Sequence, residues 1–271
     1  MKVWWLLFKK EFRLMQKFWL IAGLLVILLG VIGAYIASQF NLGISSLVLF
    51  MLLFFHSFYL FLYLISSLQA EKNNTPIWMQ SPQSGIFLLS IKFAAGFILM
   101  LATVVLNFIL WSWAVELDFQ SELYQGEAYF QSLLVIKDLI KQHWLLTLLV
   151  FTQRALFLAA FGSLVYFAVD LLKYTIKAWR WIVGLVLFFI GIILIIWLNN
   201  AAFFDLFFHW GKLDLTGFSA FSYQWTVQGP PVTIIFQSFF PVYVGSIVFT
   251  YLISAACFLV SSWLLDRKVE V

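Results

Sequence analysis

Polar side chains that interrupt long apolar runs are the first candidates for chemistry in this sequence. An ionisable or amide group is costly inside a bilayer, so such groups usually mark a ligand or ion pathway. The alternative for a buried His or Asn is a hydrogen bond between helices, and a long Arg can also reach the membrane interface. The residues of this candidate intramembrane polar pathway are His56, Asn107, Gln153 and Arg154.

Familiar catalytic and metal-binding motifs do not occur in the sequence. The chain has no G-x-x-x-x-G-K-[ST] phosphate loop, no H-E-x-x-H and no G-x-S-x-G, and each would supply a defined chemistry. None of the 3 histidines has a partner at metal-ligand spacing. We therefore expect no catalytic, cofactor or metal site and no enzyme activity. A multispan lipid-modifying enzyme would require His56, Asn107 and Arg154 to converge in space.

The composition places the chain in a membrane. Of its 271 residues, 64% are hydrophobic, 20% aromatic and 10% charged, and the mean hydropathy is +1.00. Soluble domains are about half apolar and about a quarter charged, and disordered chains have few aromatic residues. The basic residues lie scattered at the boundaries of apolar runs and form no patch for nucleic acid. Membrane lipid is therefore an expected partner, and nucleic acid is not.

Long apolar runs predict an all-α integral membrane protein with a single transmembrane domain, residues 1–271. A membrane-spanning helix needs about 20 mostly apolar residues. The runs are continuous rather than alternating, which favours helices over barrel strands. The predicted spans are residues 18–40, 45–68, 93–115, 144–172, 181–198 and 242–265.

Segments outside the spans are amphipathic or aromatic. Residues 1–17 mix aromatic with basic side chains, which predicts a helix lying in the membrane interface. Residues 129–141 predict a short amphipathic helix on the outer leaflet. Residues 199–241 are apolar but contain Gly229-Pro230-Pro231, which predicts a re-entrant or interfacial segment before the last span.

The distribution of basic residues predicts the orientation. If the N-terminus is cytoplasmic, 12 of the 16 Lys and Arg residues lie on the inner side. The outer side then holds Lys137, Lys141 and Lys212, and Arg154 lies in a span. Because cytoplasmic loops carry the excess of Lys and Arg, both termini are expected in the cytoplasm.

The cytoplasmic loop 69–92 contains the most specific pattern. Asn74 and Thr75 can cap a helix and Pro76 suits its first turn. A short helix from Thr75 to Gln80 is therefore predicted, and it would end at Ser81-Pro82. Its exposed apolar residues, Trp78 among them, require a partner surface or an anchoring role at the membrane interface.

The chain resembles the ABC-2 type permease family, the membrane subunits of ABC exporters. The likeness rests on the N-terminal segment Leu7 to Arg13, on the string WMQSPQSGIFLLSIK within residues 71–92, and on the closing segment Ser262 to Glu270. The number and arrangement of the spans also agree. The resemblance covers the architecture of essentially the whole chain.

The resemblance implies a function and partners. It implies a permease of the cell membrane in which the interfacial helix and loop 69–92 couple to a separate nucleotide-binding ATPase, which holds ATP and Mg. A second permease chain would complete a dimer, and the segment before the last span would form re-entrant helices. The implied coupling residues are Glu71, Thr75, Pro76, Trp78, Ser81 and Pro82.

The apolar, aromatic composition favours an amphipathic or hydrophobic cargo such as a peptide antibiotic, a drug or a lipid. A structural or regulatory membrane protein that translocates nothing is the alternative from another class. A rigid interior without a polar lining would distinguish it.

Overall fold

The computed structural model describes residues 2–40, 44–70, 83–120, 137–138, 140–171, 180–199, 208–213, 221–225, 232–236 and 242–269. The predicted helix at Thr75–Gln80 and all six coupling residues lie outside this part of the chain. Helices dominate the described residues. They are α1 (Lys2–Leu14), α2 (Gln16–Phe40), α3 (Ile44–Phe55), α4 (Tyr59–Ala70), α5 (Gly85–Gln120), α6 (Trp144–Leu171), α7 (Arg180–Asn199) and α8 (Val244–Val269).

Five helical stretches in the described residues are long and apolar enough to cross a membrane. This agrees with the prediction of a helical membrane protein. The helix of the predicted fifth span, α7, has a described apolar stretch of only Ile182–Leu194, which is shorter than the other five. The five are Gln16–Ile36, Ser46–Ala70, Gly85–Glu116, Trp144–Asp170 and Val244–Arg267.

The third predicted span begins earlier than expected. Its helix, α5, starts at Gly85 rather than near residue 93. Ser84 caps this helix, because its hydroxyl accepts a hydrogen bond from the Phe87 N–H at 3.4 Å and its carbonyl accepts one from the Leu88 N–H at 3.1 Å. The prediction began the span after Lys92, because this charge was taken as the membrane boundary, although residues 85–91 are mostly apolar.

The second span is interrupted near its middle. Residues His56–Phe58 form one 3₁₀ turn between α3 and α4. The His56 Nδ1 atom lies 2.7 Å from the Leu52 carbonyl oxygen, and the Ser57 hydroxyl donates to the Phe54 carbonyl at 2.5 Å. Polar side chains that bond back to backbone carbonyls compete with the regular helical ladder. These bonds accompany the tighter turn.

The segment before the last span contains β-strands. Strand β1 (Lys212–Leu213) pairs with β4 (Val242–Tyr243), and β2 (Phe221–Trp225) pairs with β3 (Val232–Phe236); both pairs are antiparallel. The alternation of aromatic and polar residues in β2 is typical of a strand. The re-entrant helices implied by the family resemblance are therefore not what the described residues form. The Gly-Pro-Pro sequence lies outside them.

The buried core divides along the length of the helix bundle. One end, which we call the proximal end, packs Leu68, Leu89, Phe167 and Leu265 together and so joins α4, α5, α6 and α8. The opposite, distal end packs Leu49 of α3 against α5. Between them lies the largest cluster, which includes Tyr63, Leu64 and Met100 and receives Phe8 and Met15 from the N-terminal helix region.

Candidate functional site

A buried ion pair at the proximal end joins α1 to α5. The Lys92 ammonium lies 2.8 Å from Oε2 of Glu11, and the two side chains are only 2% and 5% exposed. Ser67 of α4 lies between them: its hydroxyl donates to Oε1 of Glu11 and accepts a hydrogen bond from Lys92 at 2.5 Å. Three separate helices therefore meet around one pair of opposite charges.

Tyr63 completes this group, which we call the Glu11–Lys92 cluster (Glu11, Tyr63, Ser67 and Lys92). Its hydroxyl donates to Oε1 of Glu11 at 3.4 Å, from one turn before Ser67 on α4. Gly96 lies one turn after Lys92 and permits the close packing of α5 on α4. A Cβ atom at Gly96 would lie 2.5 Å from the Tyr63 ring. The cluster is thus enclosed by close-packed helices.

The sequence of α1 explains why Glu11 points inward. Phe8, Glu11 and Met15 recur at spacings of three and four, which places them on one helical face, and all three are buried. Phe8 and Met15 supply apolar contact with the core. Removing a carboxylate from water costs several kcal/mol unless it is paired and hydrogen-bonded, and Lys92, Ser67 and Tyr63 together meet that condition.

The cluster borders both sides of residues 71–82, the central part of the predicted loop 69–92, which we call loop 71–82. Ser67 lies three residues before the end of α4 at Ala70, and Lys92 lies seven residues after the start of α5 at Gly85. The two helices that lead into and out of the loop are therefore fixed to each other and to α1.

The last helix is attached at the same place. The Gly85 N–H donates to Oδ1 of Asp266 at 2.5 Å, so a carboxylate near the end of α8 caps the start of α5. A Cβ atom at Gly85 would lie 2.5 Å from the Ser262 carbonyl oxygen. Only glycine fits this close approach without moving backbone.

Three of the four polar residues predicted from the sequence form hydrogen bonds to backbone carbonyls. His56 and Asn107 are buried and bond to carbonyls of α3, with Asn107 Nδ2 donating to Leu49 at 3.4 Å. Gln153 donates to the Ser246 carbonyl of α8 at 3.3 Å, whereas Arg154 is exposed. Within the described residues, no hydrogen bond joins any two of these four. The convergence that a lipid-modifying enzyme would need is not supported by these contacts.

Polar contacts also link α6 and α8 along their length. The hydroxyls of Thr152 and Tyr251 lie 3.0 Å apart, and Ser163 donates to Ser261 at 3.2 Å. Hydrogen bonds of this kind hold helices together in apolar surroundings. Gln153 belongs to the same interface through its bond to the Ser246 carbonyl.

The distal end has an ion pair of a different kind. Lys137 lies 2.6 Å from Glu116, but the Glu116 side chain is 57% exposed. Ile140 packs against the distal core cluster. Of the predicted amphipathic helix at 129–141, the described residues are helical; they are Lys137, Asp138, Ile140 and Lys141.

Sequence reasoning missed the Glu11–Lys92 cluster, although two signals were present. Lys92 lies within the apolar run from Phe87 to Phe97, where it was counted only as an inner-side charge. Glu11 is the only acidic residue in the first 70 positions. A lone acid and a lone intramembrane Lys are candidates to pair.

Comparison with protein-family models found no match, and comparisons with curated proteins and with solved structures found none either. In the described part of the chain, no group of three or more His, Cys, Asp or Glu residues could hold a metal ion.

Proposed function

We propose that this chain is the membrane subunit of an ATP-driven exporter of the ABC-2 type, with ATP hydrolysed by a separate subunit. The observation that carries the proposal is the Glu11–Lys92 cluster. It ties the N-terminal helix to both helices that flank loop 71–82. A transporter driven from outside the membrane needs such a connection between the surface that receives the movement and the helices that perform it.

The mechanism follows from this connection. Closure of two ATPase subunits on ATP displaces loop 71–82, and α1, α4 and α5 move as one unit because separating Lys92 from Glu11 would leave a buried charge unpaired. The cap from Asp266 to Gly85 extends the movement to α8. The helices then alternate between inward- and outward-facing states. ATP shifts this equilibrium only through contacts that differ between the two states.

The finer assignments belong to the same proposal. The chain crosses the plasma membrane six times with both termini cytoplasmic, and α7 forms the fifth crossing. A second copy or a related permease completes the pathway, and the segment containing the β-strands lies at the outer surface. The cargo is amphipathic or hydrophobic. The coupling residues are Glu71, Thr75, Pro76, Trp78, Ser81 and Pro82, and ATP and Mg bind the partner subunit.

Co-purification is the first test. The tagged chain is extracted in mild detergent from its native host, its partners are identified by mass spectrometry, and the eluate is assayed for ATP hydrolysis. A stoichiometric ATPase with a phosphate-binding loop is expected. Its reproducible absence would contradict the proposal and favour a structural or regulatory membrane protein.

Replacing Trp78 with alanine tests the coupling loop. We expect Trp78→Ala to uncouple ATP hydrolysis from transport and to leave the helices folded, because the change removes a contact to the ATPase subunit rather than a core residue. The assay follows ATP hydrolysis and ATP-dependent movement of a fluorescent lipid analogue and an amphipathic dye in proteoliposomes. Trp197→Ala, at a side chain that is 67% exposed on α7, is the matched control. Wild-type coupling in Trp78→Ala would contradict this role of the loop.

A further inference from the structure

The exposed face of α1 carries a stripe of positive charge. Lys9, Arg13 and Lys17 are exposed and follow one another at intervals of four residues, so they lie along one side of the helical path into α2. The Lys9 ammonium stands 5.3 Å above the Trp5 ring. Within the described residues, no ion pair engages Arg13 or Lys17. The stripe faces away from Phe8 and Glu11.

Glu11 cannot neutralise this stripe. It is the only acidic residue in the first 70 positions, and its carboxylate is buried against Lys92. The ion pair therefore removes the one negative charge of this region from the surface. The accessible face of α1 is left with cations only.

Apolar side chains accompany the cations. Val3, Trp5 and Leu6 are 50%, 51% and 65% exposed. Aromatic and aliphatic groups interleaved with Lys and Arg are typical of helices that lie at the boundary between headgroups and acyl chains. A purely aqueous surface would not favour exposure of these side chains.

The connection to α2 fixes where this face lies. Only Met15 separates α1 from α2, and the backbone hydrogen bonds continue through it, from Met15 N–H to Glu11 and from Trp19 N–H to Met15. The candidate span begins at Gln16. The stripe therefore lies where this span meets the membrane surface, within reach of lipid headgroups.

We propose that Lys9, Arg13 and Lys17 bind the headgroups of anionic phospholipids, with Trp5 and Leu6 inserted beside them. The positive stripe, the adjoining apolar groups and its place at the start of a span all match an anionic lipid surface. Each Lys or Arg near such a surface strengthens attraction by about fivefold. The proposal does not depend on transport.

A charge-matched pair of variants tests it. R13Q/K17Q removes two charges from the stripe, and K141Q/K212Q removes two from exposed positions elsewhere. The full-length protein is reconstituted with equal amounts of phosphatidylglycerol and phosphatidylcholine, re-extracted gently, and its retained lipids are quantified by native mass spectrometry. We expect the ratio of phosphatidylglycerol to phosphatidylcholine to fall at least fivefold in R13Q/K17Q and to stay within twofold of wild type in K141Q/K212Q.

Two further measurements separate lipid binding from other effects. R13K/K17R keeps the charges and should retain the wild-type ratio. In the wild type, the ratio of phosphatidylglycerol to phosphatidylcholine should fall as the salt concentration rises, because ions screen exposed charges. This measurement tests the proposal even if R13Q/K17Q folds poorly. An unchanged ratio in R13Q/K17Q, an equal loss in K141Q/K212Q, or a salt-independent wild-type ratio would overturn the proposal. Loss of a co-purifying protein with no change in lipid would assign the stripe to a protein partner instead.

Discussion

Replacing Lys92 with methionine should destabilise the protein by about 3–5 kcal/mol, because the carboxylate of Glu11 would remain buried without its countercharge. At 2.8 Å the attraction between the two charges is about 6 kcal/mol for an effective dielectric constant near 20. The cost of removing both ions from water offsets much of this. The intact pair therefore contributes little net stability, whereas half of it is costly.

A double variant separates the two effects. Glu11→Leu with Lys92→Met removes both charges and fills similar volume, so it should be within about 1–2 kcal/mol of the wild type. Ser67 can then donate to a carbonyl of its own helix, as hydroxyls do in apolar surroundings. The double-mutant cycle should give a coupling free energy above about 2 kcal/mol between Glu11 and Lys92.

The assay is equilibrium unfolding of the purified protein in mixed micelles, titrated with a denaturing detergent and followed by helical circular dichroism. Lys141→Met is the matched control, because Lys141 is exposed and its loss should change the free energy of unfolding by less than about 0.5 kcal/mol. The reasoning fails if Lys92→Met resembles this control, or if the effects at Glu11 and Lys92 simply add.

Two further substitutions test the packing of α5. Gly85→Ala should lower the free energy of unfolding by about 1–3 kcal/mol, because the new methyl group meets the Ser262 carbonyl. Gly23→Ala is the control and should not lower it, because a Cβ atom there has nothing within 4 Å. Equal stabilities of the two variants in the same titration would show that Gly85 and Ser262 are not closely packed. Asn107→Leu should lower the free energy of unfolding by less than about 1 kcal/mol, because Oδ1 has no hydrogen-bond partner and the bond from Nδ2 to Leu49 is long. A much larger loss of stability in thermal unfolding would indicate that Asn107 makes a stronger contact.

The apolar runs were sufficient to predict most of the helices. The predicted span at 144–172 coincides with α6 at Trp144–Leu171, since a continuous apolar run of that length has few alternatives to a helix. The start of α5 was missed because the contacts that stabilise its first turn do not show as an apolar run. They come from Ser84 and from Asp266, and Asp266 is distant in sequence.

The strands and the cluster differ in how far the sequence could predict them. The alternation of aromatic and polar residues in 221–225 was visible, but the adjoining apolar residues and the prolines led to the prediction of a re-entrant or interfacial segment. The partners Glu11 and Lys92 are separated by 81 positions, and their contact depends on α1 folding back against α5. Residue spacing in one chain does not specify such a contact. The assignments in loop 71–82 stay predictions.

The 3₁₀ turn at His56–Phe58 determines the direction in which the side chains of α4 point around the axis of the second span. Three residues at three per turn rotate the chain by about 360°, compared with about 300° in an α-helix. The face of α4 is therefore turned by about 60° relative to an uninterrupted helix, which is an arc of about 2.4 Å at the Cα radius. Without that rotation, Ser67 would be displaced by more than the tolerance of a hydrogen bond. The winding of one turn in mid-span thus determines whether the hydroxyl two and a half turns further on meets Glu11 and Lys92.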